Sequence, residues 1–311
     1  MSINRSPLFI TETDGVVICN LCPNSCHIQS GHFGACGVRG NKGGKGIIPF
    51  YGFISALAID PIEKKPLYHF KPGSRILSLG FAGCNLHCPF CQNWHISQNT
   101  DIPGKWMKTN EVISAALQHD SPSIAYTYSE PLIHAEYIID CMVLARKHGI
   151  ANVLVTNGCI NAEAAAKILA LTDAANVDLK CFSAQTYGKT LGGFAASSVA
   201  ARNSVAASSV AASSVSNEGI FKTVLEFIKL CSEMGVHIEI TTLVVPGLND
   251  STEELNAAAQ FIASVNSEIP WHLTAYHPDY RWNAPRTDPD FLLNTARDAK
   301  KILRYVHTGN I

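Results

Sequence analysis

From residue 75 onward the chain alternates short apolar runs with longer segments whose apolar residues recur every three or four positions. The runs at 75–81, 123–128, 152–156, 175–179, 237–244 and 271–276 predict strands. The periodic segments at 110–119, 133–148, 161–171, 218–234, 251–265 and 290–304 predict helices. Boundary signals agree: Ser251 and Glu254 have capping-box spacing ahead of Leu255, Phe261 and Ile262. Gly149 and Gly235 stand where a helix ends in a left-handed residue. Strands and helices alternating at this spacing imply an α/β fold with a parallel sheet and helices outside it. Six βα units with no evident seventh predict a partial (βα)6 barrel over 73–311, open on one side. Residues 1–72 form a cysteine-rich N-terminal extension. Ligand sites in such folds gather at the C-terminal ends of the strands.

Residues 194–216 break this rhythm. The unit Ala-Ala-Ser-Ser-Val occurs at 195–199, 206–210 and 211–215, and a five-residue period fits neither a helix face nor a strand face. With nothing large to bury, the segment is expected to be a mobile insertion; paired serines and β-branched valines weigh against an Ala-rich helix. Composition narrows the function. Apolar residues make up 47% of the 311, ample for a sizeable core, and the net charge of −1 favours neither nucleic acid nor an anionic membrane as partner. The apolar stretch 47–59 is interrupted by Pro49 and Gly52 and is too short to cross a bilayer. Met1 to Val17 lacks the apolar core of a signal peptide. Of 11 cysteines, 7 fall in two tight groups, which points to metal binding in a reducing cytoplasm rather than to disulfides.

The sharper group is Cys84, Cys88 and Cys91, spaced C-x3-C-x2-C directly after the first strand. Thiolates this close converge on a soft-metal site. Three of them on a cubane iron–sulfur cluster leave one iron open for a chelating small molecule. A structural zinc site would want a fourth ligand; three unrelated buried thiols are the other alternative.

The spacing resembles the signature of the radical S-adenosylmethionine (SAM) enzymes, where the amino and carboxylate groups of SAM take the open iron. This resemblance implies a radical SAM partial TIM-like barrel, a [4Fe–4S] cluster on Cys84, Cys88 and Cys91, and Phe90 beside the adenine. It extends to the other strand ends. Glu130, in Tyr128-Ser129-Glu130, is similar to the acid of the Gly-Gly-Glu motif that contacts the SAM amino group, although the two glycines are replaced. Thr156-Asn157-Gly158 resembles the family's Thr-Asn-Gly, while Val155 stands where glycyl-radical activases carry an Asp. Asp178 and Lys180, two apart, share one face, and Lys180 could pair with a carboxylate of SAM or substrate. His277 resembles a histidine that contacts the ribose or SAM. Alone, each is weak, since a strand-end Asp is often only a helix cap and a single His is usually a core or surface residue. Strand ends carrying these residues in order are much stronger.

The second group is Cys19, Cys22, Cys26 and Cys36, spaced C-x2-C-x3-C-x9-C, with Gly31, Gly34 and Gly37 allowing tight turns. Four thiolates can close a zinc site or hold a second iron–sulfur cluster, and the spacing leaves both open. The run Asp60 to Phe70, with Tyr51-Gly52, Ser55, Pro72-Gly73-Ser74, Cys91 to Trp94 and Ile96-Ser97-Gln98, is similar to the AmmeMemoRadiSam-system radical SAM enzymes. These are homologues of the pyruvate formate-lyase activating enzymes. The likeness covers residues 17 to 306 apart from the insertion. Within the run, Glu63, Lys64 and Lys65 read either as a solvated turn or as a charged lid. The implied activity is reductive cleavage of SAM to a 5′-deoxyadenosyl radical that abstracts hydrogen from an unidentified substrate. The implied partners are a flavodoxin- or ferredoxin-type donor and Memo-like and AMMECR-like companions. A glycyl-radical-enzyme activase and a non-catalytic electron-transfer protein are the alternatives.

Overall fold

A computed structural model describes residues 5–192 and 217–311; the expected insertion at 194–216 lies outside the described residues. The centre is an eight-stranded sheet. Its parallel strands follow one another in chain order: Arg75–Gly80, Ser123–Thr127, Ala151–Thr156, Ala174–Asp178, His237–Val244, Trp271–Ala275 and Val306–Gly309. The intervening helices are Thr109–Gln118, Ala135–Lys147, Ala162–Leu169, Asn217–Glu233, Thr252–Asn266 and Pro289–Ala299. The six expected strands are all present, and the fold is the expected mixed α/β one with a parallel sheet. Each connection is long enough to carry a helix, as parallel pairing requires.

Two strands of this sheet were not expected. The last helix stops at Ala299 instead of 304, and Val306–Gly309 then adds a seventh parallel strand beside Trp271–Ala275. Its four residues are too few to show a strand period in the sequence. At the opposite edge Ala56–Pro61 pairs antiparallel with Arg75–Gly80 and joins the sheet from ahead of residue 73. Among the described residues the two edge strands do not pair with each other, so the barrel stays open.

The parallel strands are buried on both faces, which is why they read as nearly continuous apolar runs. Leu77, Leu79, Tyr126, Leu154, Val177, Ile240 and Leu273 belong to one contiguous core with the inner faces of the helices. The capping-box pattern at Ser251 is half realised. Ser251 Oγ accepts the Glu254 N–H at 3.1 Å, but the Glu254 carboxylate accepts the Phe182 N–H at 2.6 Å. Glu254 thus ties a helix start to the loop after the fourth strand, close to Lys180. The cysteine-rich extension begins as a three-stranded antiparallel sheet, Ile10–Thr13, Val16–Cys19 and Cys26–Ile28. No helix among the described residues is long and apolar enough to cross a membrane.

Candidate active site

The first strand delivers the chain into the cysteine loop at the C-terminal edge of the sheet. Gly83, at φ +80°, makes the turn; a Cβ there would overlap the Cys36 carbonyl oxygen. Contacts from several directions hold the loop. Gly83 N–H donates to the Ile96 carbonyl at 2.9 Å and His87 N–H to that of Leu191 at 2.6 Å. Arg281 N–H, from beyond the sixth strand, donates to the Pro89 carbonyl at 2.8 Å.

Two of the three thiols make polar contacts. Leu86 N–H lies 3.3 Å and Asn157 Nδ2 3.6 Å from Cys84 Sγ, and Ser97 Oγ is 3.2 Å from Cys91 Sγ. Burial pushes the Cys84 thiol well above its ordinary range, reinforced by Glu130, Cys88 and Cys91. Cys88 is pushed up to about 12 by burial, against the pull of the Lys180 ammonium. Buried thiols so raised stay protonated until a cationic centre displaces the protons. The donor set therefore fits a group that brings its own positive charge.

The other strand ends converge on this loop. Glu130 is fully buried: Oε1 accepts Leu132 N–H at 3.0 Å and Thr156 Oγ1 at 2.7 Å, and Oε2 accepts Asn157 N–H at 2.8 Å. Burial nevertheless raises its carboxyl to about 7, because the three donors are neutral and Asp178 repels. Asn157 then reaches Cys84 Sγ, so Glu130, Thr156 and Asn157 form one connected wall on the Cys84 side. On the other side Lys180 Nζ meets Asp178 Oδ2 at 3.0 Å. Burial would lower the Lys180 ammonium, but Asp178 and the Cys88 thiol more than reverse this and hold it well up. His277 sits exposed beyond the sixth strand, its Nε2 3.2 Å from Gln92 Nε2 of the cysteine loop. Phe90 is buried in the core beside Cys88.

Sequence reasoning missed how the replaced glycines are accommodated. Tyr128 occupies a left-handed backbone position, φ +68°, which costs a bulky residue of order 1–3 kcal/mol. Its hydroxyl donates to Asp60 Oδ2 at 2.6 Å, and Asn93 Nδ2 donates to its carbonyl at 2.8 Å. Asp60 also accepts Lys65 Nζ at 2.7 Å and Ser78 Oγ at 2.8 Å, and the Lys65 ammonium lies 4.3 Å from the centre of the Tyr128 ring. Lys65 is only 2% exposed, so neither a solvated turn nor a charged lid describes it. The Asp60 to Phe70 run was visible, but its partner on the second strand was not.

The N-terminal cysteines also assemble. Antiparallel pairing sets Cys19 opposite Cys26, and Ala35 N–H lies 3.4 Å from Cys26 Sγ. A Cβ on Gly34 would stand 3.3 Å from that sulfur. Burial raises the Cys22 thiol well above its ordinary range, reinforced by Cys159, Cys26, Cys19 and Cys36. Among the described residues no three His, Cys, Asp or Glu side chains are gathered tightly enough to bind a single metal ion, and this holds for both cysteine groups.

An open parallel α/β barrel with three thiols on the loop after its first strand defines a class of enzyme, and the comparisons agree. Residues 79–262 match the Radical SAM superfamily model, and the chain belongs to that family. The family implies a [4Fe–4S] cluster and SAM, and its members generally draw electrons from flavodoxin or ferredoxin. The chain is 36% identical to an uncharacterized protein of Methanocaldococcus jannaschii over 99% of its own length and 85% of that protein's. It is 24% identical to the pyruvate formate-lyase-activating enzyme of Clostridium pasteurianum over 66% of its length and 76% of that enzyme's. A radical SAM methyltransferase from Sphaerobacter thermophilus shares the fold, with a TM-score of 0.53 at 12% identity over 77% of this chain and 67% of that one.

Proposed function

We propose that the chain binds a [4Fe–4S] cluster through Cys84, Cys88 and Cys91 and cleaves SAM reductively for hydrogen abstraction. The particular group is the AmmeMemoRadiSam-system radical SAM enzymes. The observation that carries this is the meeting of three strand-end sets on one loop: the three thiols, the Glu130–Thr156–Asn157 wall and the Lys180–Asp178 pair. When bound, cluster and SAM supply one-electron cleavage to methionine and a 5′-deoxyadenosyl radical.

The chain's own residues bind and orient. Glu130 uses three acceptor positions internally, and a carboxylate has about four, which leaves one for a donor. An ammonium there would offset the burial that holds its carboxyl near 7. Lys180 offers the complementary cation for a carboxylate. His277 and Phe90 would hold the nucleoside end, and Asn157 holds Cys84 in place by its N–H···S contact. Asp60, Lys65 and Tyr128 keep the second strand end in its left-handed turn, so that Glu130 faces Asn157.

Memo-like and AMMECR-like companions and a cytoplasmic setting complete this reading. A second reading, activation of a glycyl-radical enzyme, is favoured by the likeness to the Clostridium pasteurianum enzyme. Val155, which replaces that group's Asp, weighs against it. Anaerobically reconstituted, reduced protein incubated with SAM tests the chemistry common to both. We expect 5′-deoxyadenosine without any added substrate, and none at all would refute the proposal.

A further inference from the structure

Cys19, Cys22, Cys26 and Cys36 are not used by the chemistry above, yet the fold lays them against the cysteine loop. Three contacts do this. The Cys36 carbonyl lies so close to Gly83, the residue before Cys84, that no side chain fits there. Asn24 Nδ2, between Cys22 and Cys26 in sequence, donates to the Asn85 carbonyl at 3.1 Å. Asn161 N–H donates to the Leu21 carbonyl, next to Cys22, at 3.0 Å; two residues before it Cys159 N–H donates to Asn157 Oδ1 at 2.8 Å, and Asn157 Nδ2 contacts Cys84 Sγ. Separate segments of the extension therefore share a wall with the loop that carries Cys84, Cys88 and Cys91.

A cation also waits beside this group. Arg39 is 3% exposed and grips Glu136 with two contacts, at 2.8 and 3.0 Å, while its Nε has no hydrogen-bond partner. Its backbone belongs to the same turn as Cys36: Gly34 N–H donates to the Arg39 carbonyl at 2.8 Å. A buried, unused N–H next to a thiol set is costly unless something accepts it. The sulfurs of an iron–sulfur site accept such bonds and are tuned by them. Glu136 balances the guanidinium charge, so what Arg39 has left for the thiolates is its unpartnered Nε–H.

We propose that Cys19, Cys22, Cys26 and Cys36 hold a second [4Fe–4S] cluster that relays electrons to the cluster on Cys84, Cys88 and Cys91. The inference rests on the radical SAM reading for the destination of the electron, but not for the metal itself. The electron count is simple. A low-potential ferredoxin- or flavodoxin-type protein gives one electron to the N-terminal cluster, which passes one to its neighbour and returns to its oxidised form. No bond forms or breaks at the tetrad. Four closed ligands leave no open iron there, so SAM does not compete for this site.

The metal is tested in full-length protein with Cys84, Cys88 and Cys91 all changed to Ala, purified and reconstituted without oxygen. Iron analysis and Mössbauer spectra should show about four irons per chain in one cluster, against about eight in the parent. About one zinc per chain, or no metal, would overturn the proposal. The relay is tested with Cys26→Ala/Cys36→Ala, in which the electron paramagnetic resonance of the remaining cluster should still respond to SAM. The ratio of ferredoxin-driven to dithionite-driven SAM cleavage should fall at least about tenfold relative to the parent. An unchanged ratio would overturn the relay. Failure of the parent to cleave SAM with dithionite would instead refute the radical SAM reading and leave the metal result standing.

Discussion

Two buried glutamates mark the two ends of the same sheet, and their environments are opposite. Glu239, near the start of the fifth strand, is wholly buried and accepts four donors: Tyr68 N–H, His69 N–H, His237 Nε2 and His272 Nε2, at 2.7 to 3.1 Å. Burial would raise its carboxyl, but these donors reverse the shift and hold it well below its ordinary range. Glu130, at the other end, has only neutral donors and is raised to about 7. The shifts are opposite because Glu130 is the more deeply desolvated, has three donors and is repelled by Asp178, whereas four donors converge on Glu239. The floor of the barrel is a finished hydrogen-bond network with its acceptor filled. The mouth leaves a buried acid, a lysine and three thiols, of which burial raises Cys84 and Cys88, a set completed by an outside group that carries positive charge. Conserving the fold is the task of the floor, and binding is the task of the mouth.

Crossing the two ends with single substitutions separates these tasks. The largest effect is expected at the mouth: Cys88→Ala should abolish 5′-deoxyadenosine formation. A protein that keeps the parent's activity would show that Cys88 holds no cluster. At the floor the effect falls on stability instead. Glu239→Gln leaves His237, His272 and two backbone donors poorly matched and should cost about 3–5 kcal/mol, read from urea unfolding. Its lowered carboxyl adds a pH signature. The ionised form contributes stability above its unfolded value of 4.5 and loses it as pH falls through the lower folded value. The gap between parent and Glu239→Gln should therefore narrow below about pH 4.5; a gap that widens there would contradict the ionised assignment.

Glu130→Gln sharpens the comparison with the smallest of these changes. It removes the charge while keeping the shape, and SAM should bind roughly tenfold more weakly, about 1.4 kcal/mol. Anaerobic titration reads this directly. Equal affinity would mean that Glu130 only braces Thr156 and Asn157.

Much of the mouth was legible in the sequence because its residue types are rare and closely spaced. Three thiols within eight residues after an apolar run seldom occur except where a metal gathers them, and Glu130, Asn157 and Lys180 each stand where a strand ends. The floor was not legible. Glu239 lies in His-Ile-Glu-Ile-Thr-Thr, where alternation reads as a solvent-facing carboxylate. Its partners Tyr68 and His69 come from 170 residues away, a contact no local pattern carries. The same holds for Tyr128: a left-handed tyrosine is legible only once Asp60 and Lys65 are seen beside it. The seventh strand was missed because it has four residues and follows a helix whose end bears no glycine.

The most direct test is the electron paramagnetic resonance spectrum of the reconstituted, reduced protein before and after SAM is added. An iron left open by Cys84, Cys88 and Cys91 should take SAM as a ligand. The account therefore predicts a changed signal from that cluster, followed by methionine and 5′-deoxyadenosine in equal amounts. A signal from this cluster that SAM leaves unaltered, with no cleavage products, would contradict it.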